Sequence, residues 1–302
     1  MSDSTTSVRI DAFGQSDVGL VRKNNEDSFL IADLSADANP FDAFTLNRAI
    51  GERGTLLVVA DGMGGMKAGE VASRMAADVV AQGLVDQLSK NHPVDQRAFV
   101  KALKQSVDEA NRIVFEEGER ERKRRGMGTT LTAAGVHGQF VFFAQLGDSR
   151  AYLVRNSSIT QMTRDQSLVA QLIDSGAISS QEAKTHPQRN VILQAVGVKR
   201  QVDVVISATQ LKRGDQLVLC SDGLWGKVEA EEIRELLEKR LEPKSTCQNL
   251  VQLARERGGE DNITIIVAHF DGEGLPEPTP GENPIYEQIQ VRSRWRFWPW
   301  GS

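Results

Sequence analysis

The sequence predicts an α+β fold in which helices lie over largely antiparallel sheets. Short apolar runs, many β-branched, recur at 8–15, 28–32, 55–60, 129–136, 140–146, 151–155, 202–208, 216–220 and 262–270. Two long amphipathic stretches stand back to back after the third run. The regular strand–helix alternation of a doubly wound parallel sheet is absent.

In the first long helix Ala68, Val71, Ala72, Met75, Val79 and Leu84 recur near helical spacing; in the second Phe99, Leu103, Val107, Ala110 and Val114 do. Each lays one apolar stripe on a sheet. Shorter helices are expected over 168–175, 230–239 and 245–257. A polar excursion, 33–54, separates two strands. The stretch from Gly272 opens "GEGLPEPTPGENP" and closes "RSRWRFWPWGS". Its Pro, Gly and Glu content reads as an extended linker, giving a domain over 1–271 and a disordered linker and tail over 272–302.

The 302 residues, with a formal net charge of −5, argue against a general nucleic-acid binder, which would show a basic domain or stripe. No apolar run is long enough for a membrane span, and the first thirty residues lack a signal-peptide pattern. The expected location is the cytoplasm. The two cysteines, Cys220 and Cys247, lack C-x-x-C spacing and suit a reducing compartment.

Acidic residues share one local pattern: each stands at the mouth of an apolar strand beside a turn residue. They are Glu26 and Asp27 in "NNEDSFL", Asp61 in "VVADGMGG", Asp148 in "AQLGDSRAYLV", Asp222 in "LVLCSDGLWG" and Asp261 in "GGEDNITIIVAHF". Taken singly, each is an ordinary turn residue. Together, strand-end carboxylates can converge on one rim, where they repel unless a cation neutralises them. Oxygen ligands without His or Cys favour Mg²⁺ or Mn²⁺. Asp61 can bridge two ions, and the glycines after it let the chain turn so that the Gly62 carbonyl reaches one. Arg22, just before Glu26, can grip a phosphate beside them.

These stretches, with "GLVRKNNEDSF", "MGTTLTAAGV", "MTRDQSLV" and "RNVILQAVG", resemble the metal-dependent protein phosphatases, the type 2C or PPM family, in its bacterial form. The resemblance covers about residues 8 to 270, with the motifs in the family's order. It implies a four-layer αββα sandwich of two antiparallel sheets flanked by helices, and a serine/threonine phosphatase in which water attacks phosphorus directly. By the same resemblance Asp61 bridges two core ions, Asp222 and Asp261 complete the first, and the Gly62 carbonyl with Glu26 and Asp27 holds the second. Asp148 and Asp222 would take a third ion, and Arg22 the substrate phosphate. The implied partners are phosphorylated proteins and a serine/threonine kinase. Met63 stands where many eukaryotic members carry histidine, Met being usual in bacterial ones; Gln166 replaces a histidine common in bacterial members, and 165–197 falls where the family has a flap beside the site.

Other chemistries fit less well. Neither cysteine is followed by the arginine of a cysteine-phosphatase loop, no D-x-D occurs, and the glycine run lacks the P-loop pattern. His92, His137, His186 and His269 are scattered, and "ERERKRRG" reads as the solvated end of the second helix. The alternative is a catalytically silent phosphoprotein-binding module of the same fold. Trp295, Phe297, Trp298 and Trp300, interleaved with arginines, offer a docking end for a membrane surface or a partner.

Overall fold

The computed structural model describes residues 7–35, 45–64, 68–90 and 93–291. One six-stranded sheet runs, in spatial order, Ser158–Gln161 (β10), Arg150–Arg155 (β9), Gln216–Cys220 (β12), Ile263–Asp271 (β13), Arg9–Asp17 (β1) and Thr45–Ala49 (β3). The other runs Glu287–Ile289 (β14), Val205–Gln210 (β11), Phe140–Leu146 (β8), Leu131–His137 (β7), Thr55–Ala60 (β4) and Ser28–Asp33 (β2). A separate two-stranded ribbon pairs Gly62–Met63 (β5) with Gly128–Thr129 (β6). Every one of these pairings is antiparallel.

Helices Ala68–Leu88 (α1) and Gln96–Arg120 (α2) cover the second sheet; Asp222–Trp225 (α5), Ala230–Glu238 (α6) and Pro243–Glu256 (α7) cover the first. Leu168–Asp174 (α3) and Ser180–Thr185 (α4) lie between β10 and β11 in the chain. The expected αββα layering is the observed one. Side-chain alternation builds it: on β4, Leu56 and Val58 meet the helices while Leu57 and Val59 meet the other sheet. On β12, Val218 and Cys220 face α5 to α7 while Leu217 and Leu219 face inward. A strand buried on both faces must be apolar throughout, which is why both read as unbroken runs. The start of α2 is fixed by Asp95, whose side chain accepts a 2.6 Å bond from the Ala98 N–H.

Three expectations are corrected. The 33–54 excursion contains the edge strand β3, paired with β1 through five residues. The strand expected at 202–208 begins at Val205. The stretch expected to be a linker from Gly272 lies against the domain as far as Val291. Leu275 and Ile289 are buried there. Glu282 accepts from Arg155 Nη1 at 3.1 Å, and β14 closes the edge of β11. Buried side chains and an ion pair outweigh the linker-like composition. The aromatic and basic end, with Trp295, Phe297, Trp298 and Trp300, lies outside the described residues, as does His92. Among the described residues, no helix is long and apolar enough to cross a membrane.

Candidate metal centre

Both sheets feed one rim. Asp61 follows β4, Asp148 sits in the β8–β9 turn, Asp222 opens α5 directly after β12, and Asp261 stands two residues before β13. Glu26 and Asp27 come from the β1–β2 connection. These carboxylates sense one another. Burial first, then the charges of Asp27, Asp222, Asp148 and Asp261, hold Asp61 well above the usual carboxylate range. Burial pushes Asp27 and Asp148 up to about 7, Asp222 adding to both, while hydrogen bonds from Thr264 and Ser221 pull Asp27 back. Asp222 is raised by burial and then by Asp261.

Acids that resist being charged together are what a cation would relieve. Two atoms sharpen the point: Oδ1 of Asp148 and Oδ1 of Asp222 are buried without a hydrogen-bond partner. Such groups are costly unless something occupies their lone pairs. Among the described residues no three His, Cys, Asp or Glu side chains close on a single ligating point, so the rim is an open array. A hard ion that retains several waters needs only one or two carboxylates. The all-oxygen donor set and the orphaned oxygens therefore fit Mg²⁺ or Mn²⁺.

Gly62 sits where no side chain fits. A Cβ there would lie 2.3 Å from the Glu26 carbonyl and 2.4 Å from the Gly69 carbonyl. The Gly62 N–H donates to that Glu26 carbonyl at 3.2 Å, so the Glu26 loop and the first turn of α1 converge on this residue. The Glu26 carboxyl is raised by burial and held back by Arg22. Arg22 is half exposed and donates from Nη2 to Asp261 Oδ2 at 2.7 Å. One nitrogen is thus engaged while the rest of the fork is open to another acceptor.

Several supporting residues carry no charge and escaped a reading built on carboxylates. Asn262 accepts the Glu26 N–H at 2.8 Å and donates to the carbonyls of Val18 and Asn24, both at 3.0 Å, tying the Arg22 loop to β13. Thr130 Oγ1 accepts the Asp61 N–H at 2.9 Å, and the Thr130 N–H donates to the Asp61 carbonyl at 2.8 Å. Ser221 Oγ donates to Asp27 Oδ2 at 2.8 Å. Each adjoins, or bonds to, a residue already singled out; adjacency was the available signal. Met63 pairs with Gly128 across the small ribbon. The 165–197 stretch, expected as a flap, carries α3 and α4. The latter starts in a capping box of Ser179 and Glu182 and is tied to α6's cap by a 2.6 Å pair between Lys184 and Glu229.

Comparison with known proteins agrees with this architecture. A family model described as Protein phosphatase 2C matches residues 35–257. The serine/threonine phosphatase stp of Listeria monocytogenes is 36% identical over 216 residues, spanning 72% of this chain and 84% of its own. The S. agalactiae serine/threonine phosphatase superposes with a TM-score of 0.74 at 30% identity, over 86% of this chain and 98% of that one. The catalytic domain of the phosphatase PstP, in complex with two manganese ions, does so with a TM-score of 0.71 at 34% identity, over 88% and 100%. By family model, by sequence identity and by superposition alike, the chain belongs to the protein phosphatase 2C family of serine/threonine phosphatases.

Proposed function

We propose that this phosphatase hydrolyses phosphoserine and phosphothreonine in proteins with two Mn²⁺ or Mg²⁺ ions at the carboxylate rim, opposing a partner serine/threonine kinase. Asp61, Asp222 and Asp261 would serve one ion and Asp61, Glu26, Asp27 and the Gly62 carbonyl the other, part of each set acting through the ion's waters. Asp148 and Asp222 would hold a third. Ions so bound would supply Lewis-acid activation of water and neutralise charge on the phosphoryl group.

The chain's own residues do the rest. Arg22 offers its unengaged guanidinium nitrogens to phosphate oxygens, with Asp261 holding the fork over the rim. Ser221 fixes the orientation of Asp27, and Thr130 that of the Asp61 backbone. A covalent route through cysteine is disfavoured, because burial pushes the thiols of Cys220 and Cys247 up to about 12. The route we propose is direct attack by water.

The observation that carries this reading is the pair of buried, unpartnered oxygens on Asp148 and Asp222, two of the acids whose charges act on Asp61. The test is hydrolysis of a phosphothreonine peptide with Mn²⁺, with EDTA, and with Asp61→Asn or Asp222→Asn. Turnover should need the ion and collapse in either variant while circular dichroism stays unchanged. Metal-independent turnover would refute the reading, and a folded wild type inert with Mn²⁺ and Mg²⁺ on several phosphopeptides would return the silent binding module.

A further inference from the structure

Residues 117–125 carry five cations against three acids, in a chain whose formal net charge is −5. This stretch is not the loose end of α2. The helix stops at Arg120, Glu121 leaves it in an extended conformation, and Arg122–Arg124 fold back as a separate 3₁₀ turn. The Arg124 N–H donates to the Glu121 carbonyl at 2.8 Å, and the Met127 N–H to the Arg124 carbonyl at 2.9 Å. The turn lies close on Gly118, where a Cβ would stand 3.4 Å from the Arg124 carbonyl. Arg124 is its internal strut, paired with Glu117 and, at 3.7 Å, with Glu121, while Arg120 reaches Glu117 at 3.7 Å. Arg122, Lys123 and Arg125 are left over: all three are exposed and, among the described residues, make no ion pair.

Two more exposed cations, Lys199 and Arg200, are held to the same helix. The buried Asn111 of α2 accepts the Gly197 N–H at 2.8 Å and donates to the carbonyls of Lys199 and Arg200 at 3.1 and 3.2 Å. The Arg200 guanidinium stands 5.7 Å from the Phe115 ring. This loop meets the exit of the basic turn: a Cβ on Gly197 would lie 3.1 Å from the Met127 carbonyl, and one on Gly128 2.7 Å from Val198 Cγ2. From there the surface runs to the carboxylate rim. Gly128 pairs with Met63, and Thr129 Oγ1 donates to the Asp61 carbonyl at 2.9 Å. Arg125 stands four residues before Thr129, hence within about 14 Å of it, a span that an extended peptide crosses in about four residues.

We infer that Arg122, Lys123 and Arg125, with Lys199 and Arg200, form a docking pad for the acidic flank of a phosphoprotein substrate, its Asp and Glu residues lying about three to five positions from the phosphorylated one. This rests on the phosphatase reading of the rim. A chain of net negative charge repels an acidic substrate, and a local positive pad turns that repulsion into steering toward the site. Guanidinium groups suit the task because they take a carboxylate through two parallel bonds. A bilayer seated on the pad would crowd the rim that has to admit the substrate.

The experiment measures kcat and KM, with Mn²⁺ in excess, for two phosphothreonine peptides and for p-nitrophenyl phosphate. One peptide carries Asp and Glu three to five positions from the phosphate on both sides; the other carries Asn and Gln there. The proteins are wild type, the triple variant Arg122→Ala, Lys123→Ala, Arg125→Ala, and the double variant Arg122→Lys, Arg125→Lys. Several exposed contacts, each worth a small factor, give wild type a preference of about tenfold for the acidic peptide, expressed in KM. Added salt should shrink it. The triple variant should lose the preference with p-nitrophenyl phosphate turnover unchanged, and the lysine variant should keep most of it. Equal KM for both peptides in wild type, or a preference that survives in the triple variant, overturns the inference and leaves the phosphatase reading standing. Turnover of p-nitrophenyl phosphate that falls together with the preference also overturns it, because the turn would then act only by supporting the fold. If folded wild type leaves all three substrates intact, the phosphatase reading falls and takes the inference with it. Equal treatment of the peptides, together with binding to phosphatidylserine vesicles that the triple variant loses, would assign the pad to a lipid surface instead.

Discussion

Replacing Asp148 by Asn removes one ionisable group with little change of shape, and the metal-free protein should report it through pH. Burial, followed by repulsion from Asp222 and Asp165, pushes this carboxyl from 3.8 up to about 7 despite Arg150. The folded chain then holds a proton that the unfolded chain has released. Protonated in both states, the group costs nothing at low pH; stability is lost as pH rises from the unfolded value through the folded one. Three pH units at about 1.4 kcal/mol each come to about 4 kcal/mol, of which about 3 falls between pH 5 and 8. Asp148→Asn should therefore gain about 3 kcal/mol on wild type over that interval in EDTA, or about 6 °C in melting temperature for a domain of this size. His137 and His269, whose values burial lowers, titrate in both proteins and drop out of the difference. The assay is a pair of thermal melts in EDTA at each pH. A gap that stays flat from pH 5 to 8 would refute the account of Asp148 as a buried acid under strain from its neighbours.

Gly62→Ala would press a methyl into two backbone carbonyls within 2.4 Å; it should cost about 1–3 kcal/mol in denaturant melts and abolish Mn²⁺-dependent turnover. Asn262→Ala breaks three bonds of 2.8 to 3.0 Å. The expected loss is about 3 kcal/mol of stability, and kinetics should show KM for a phosphopeptide rising about tenfold as the Arg22 loop loosens. A chain ended after Asp271 loses the burial of Leu275 and Ile289 and the Glu282 contact to Arg155. It should melt about 8 °C lower, at about 2 kcal/mol for each buried side chain.

What could be read from the sequence follows from burial. β4 and β12 are covered on both faces, so apolar residues fill every position and their limits are plain. α2 combines a capping aspartate with a strong stripe. The missed strands are edge strands with few buried residues. Only Leu46 is buried in β3 and only Ile289 in β14, and β10 has none. One inward side chain leaves no period to detect. The segment after Gly272 looked like a linker because its hold depends on a buried arginine far back in the chain, Arg155, which no local pattern announces. At the rim, the carboxylates stood out because five strand mouths repeat one motif. Asn262, Ser221 and Thr130 did not, since a polar residue in a turn looks the same whether it meets solvent or another loop.

The pairing of β14 with β11 has a consequence for how copies of the chain behave toward one another. Ile206, Ser207 and Ala208 lie opposite Ile289, Gln288 and Glu287. The strand so covered, VISATQ, carries no charge, proline or lysine to discourage a visitor. Left open, its row of N–H and C=O groups would accept a strand from any neighbouring molecule. The terminal segment thus works as a stopper against chain-to-chain sheet growth. Preparations trimmed before it should cloud on concentration, whereas the whole chain should stay clear.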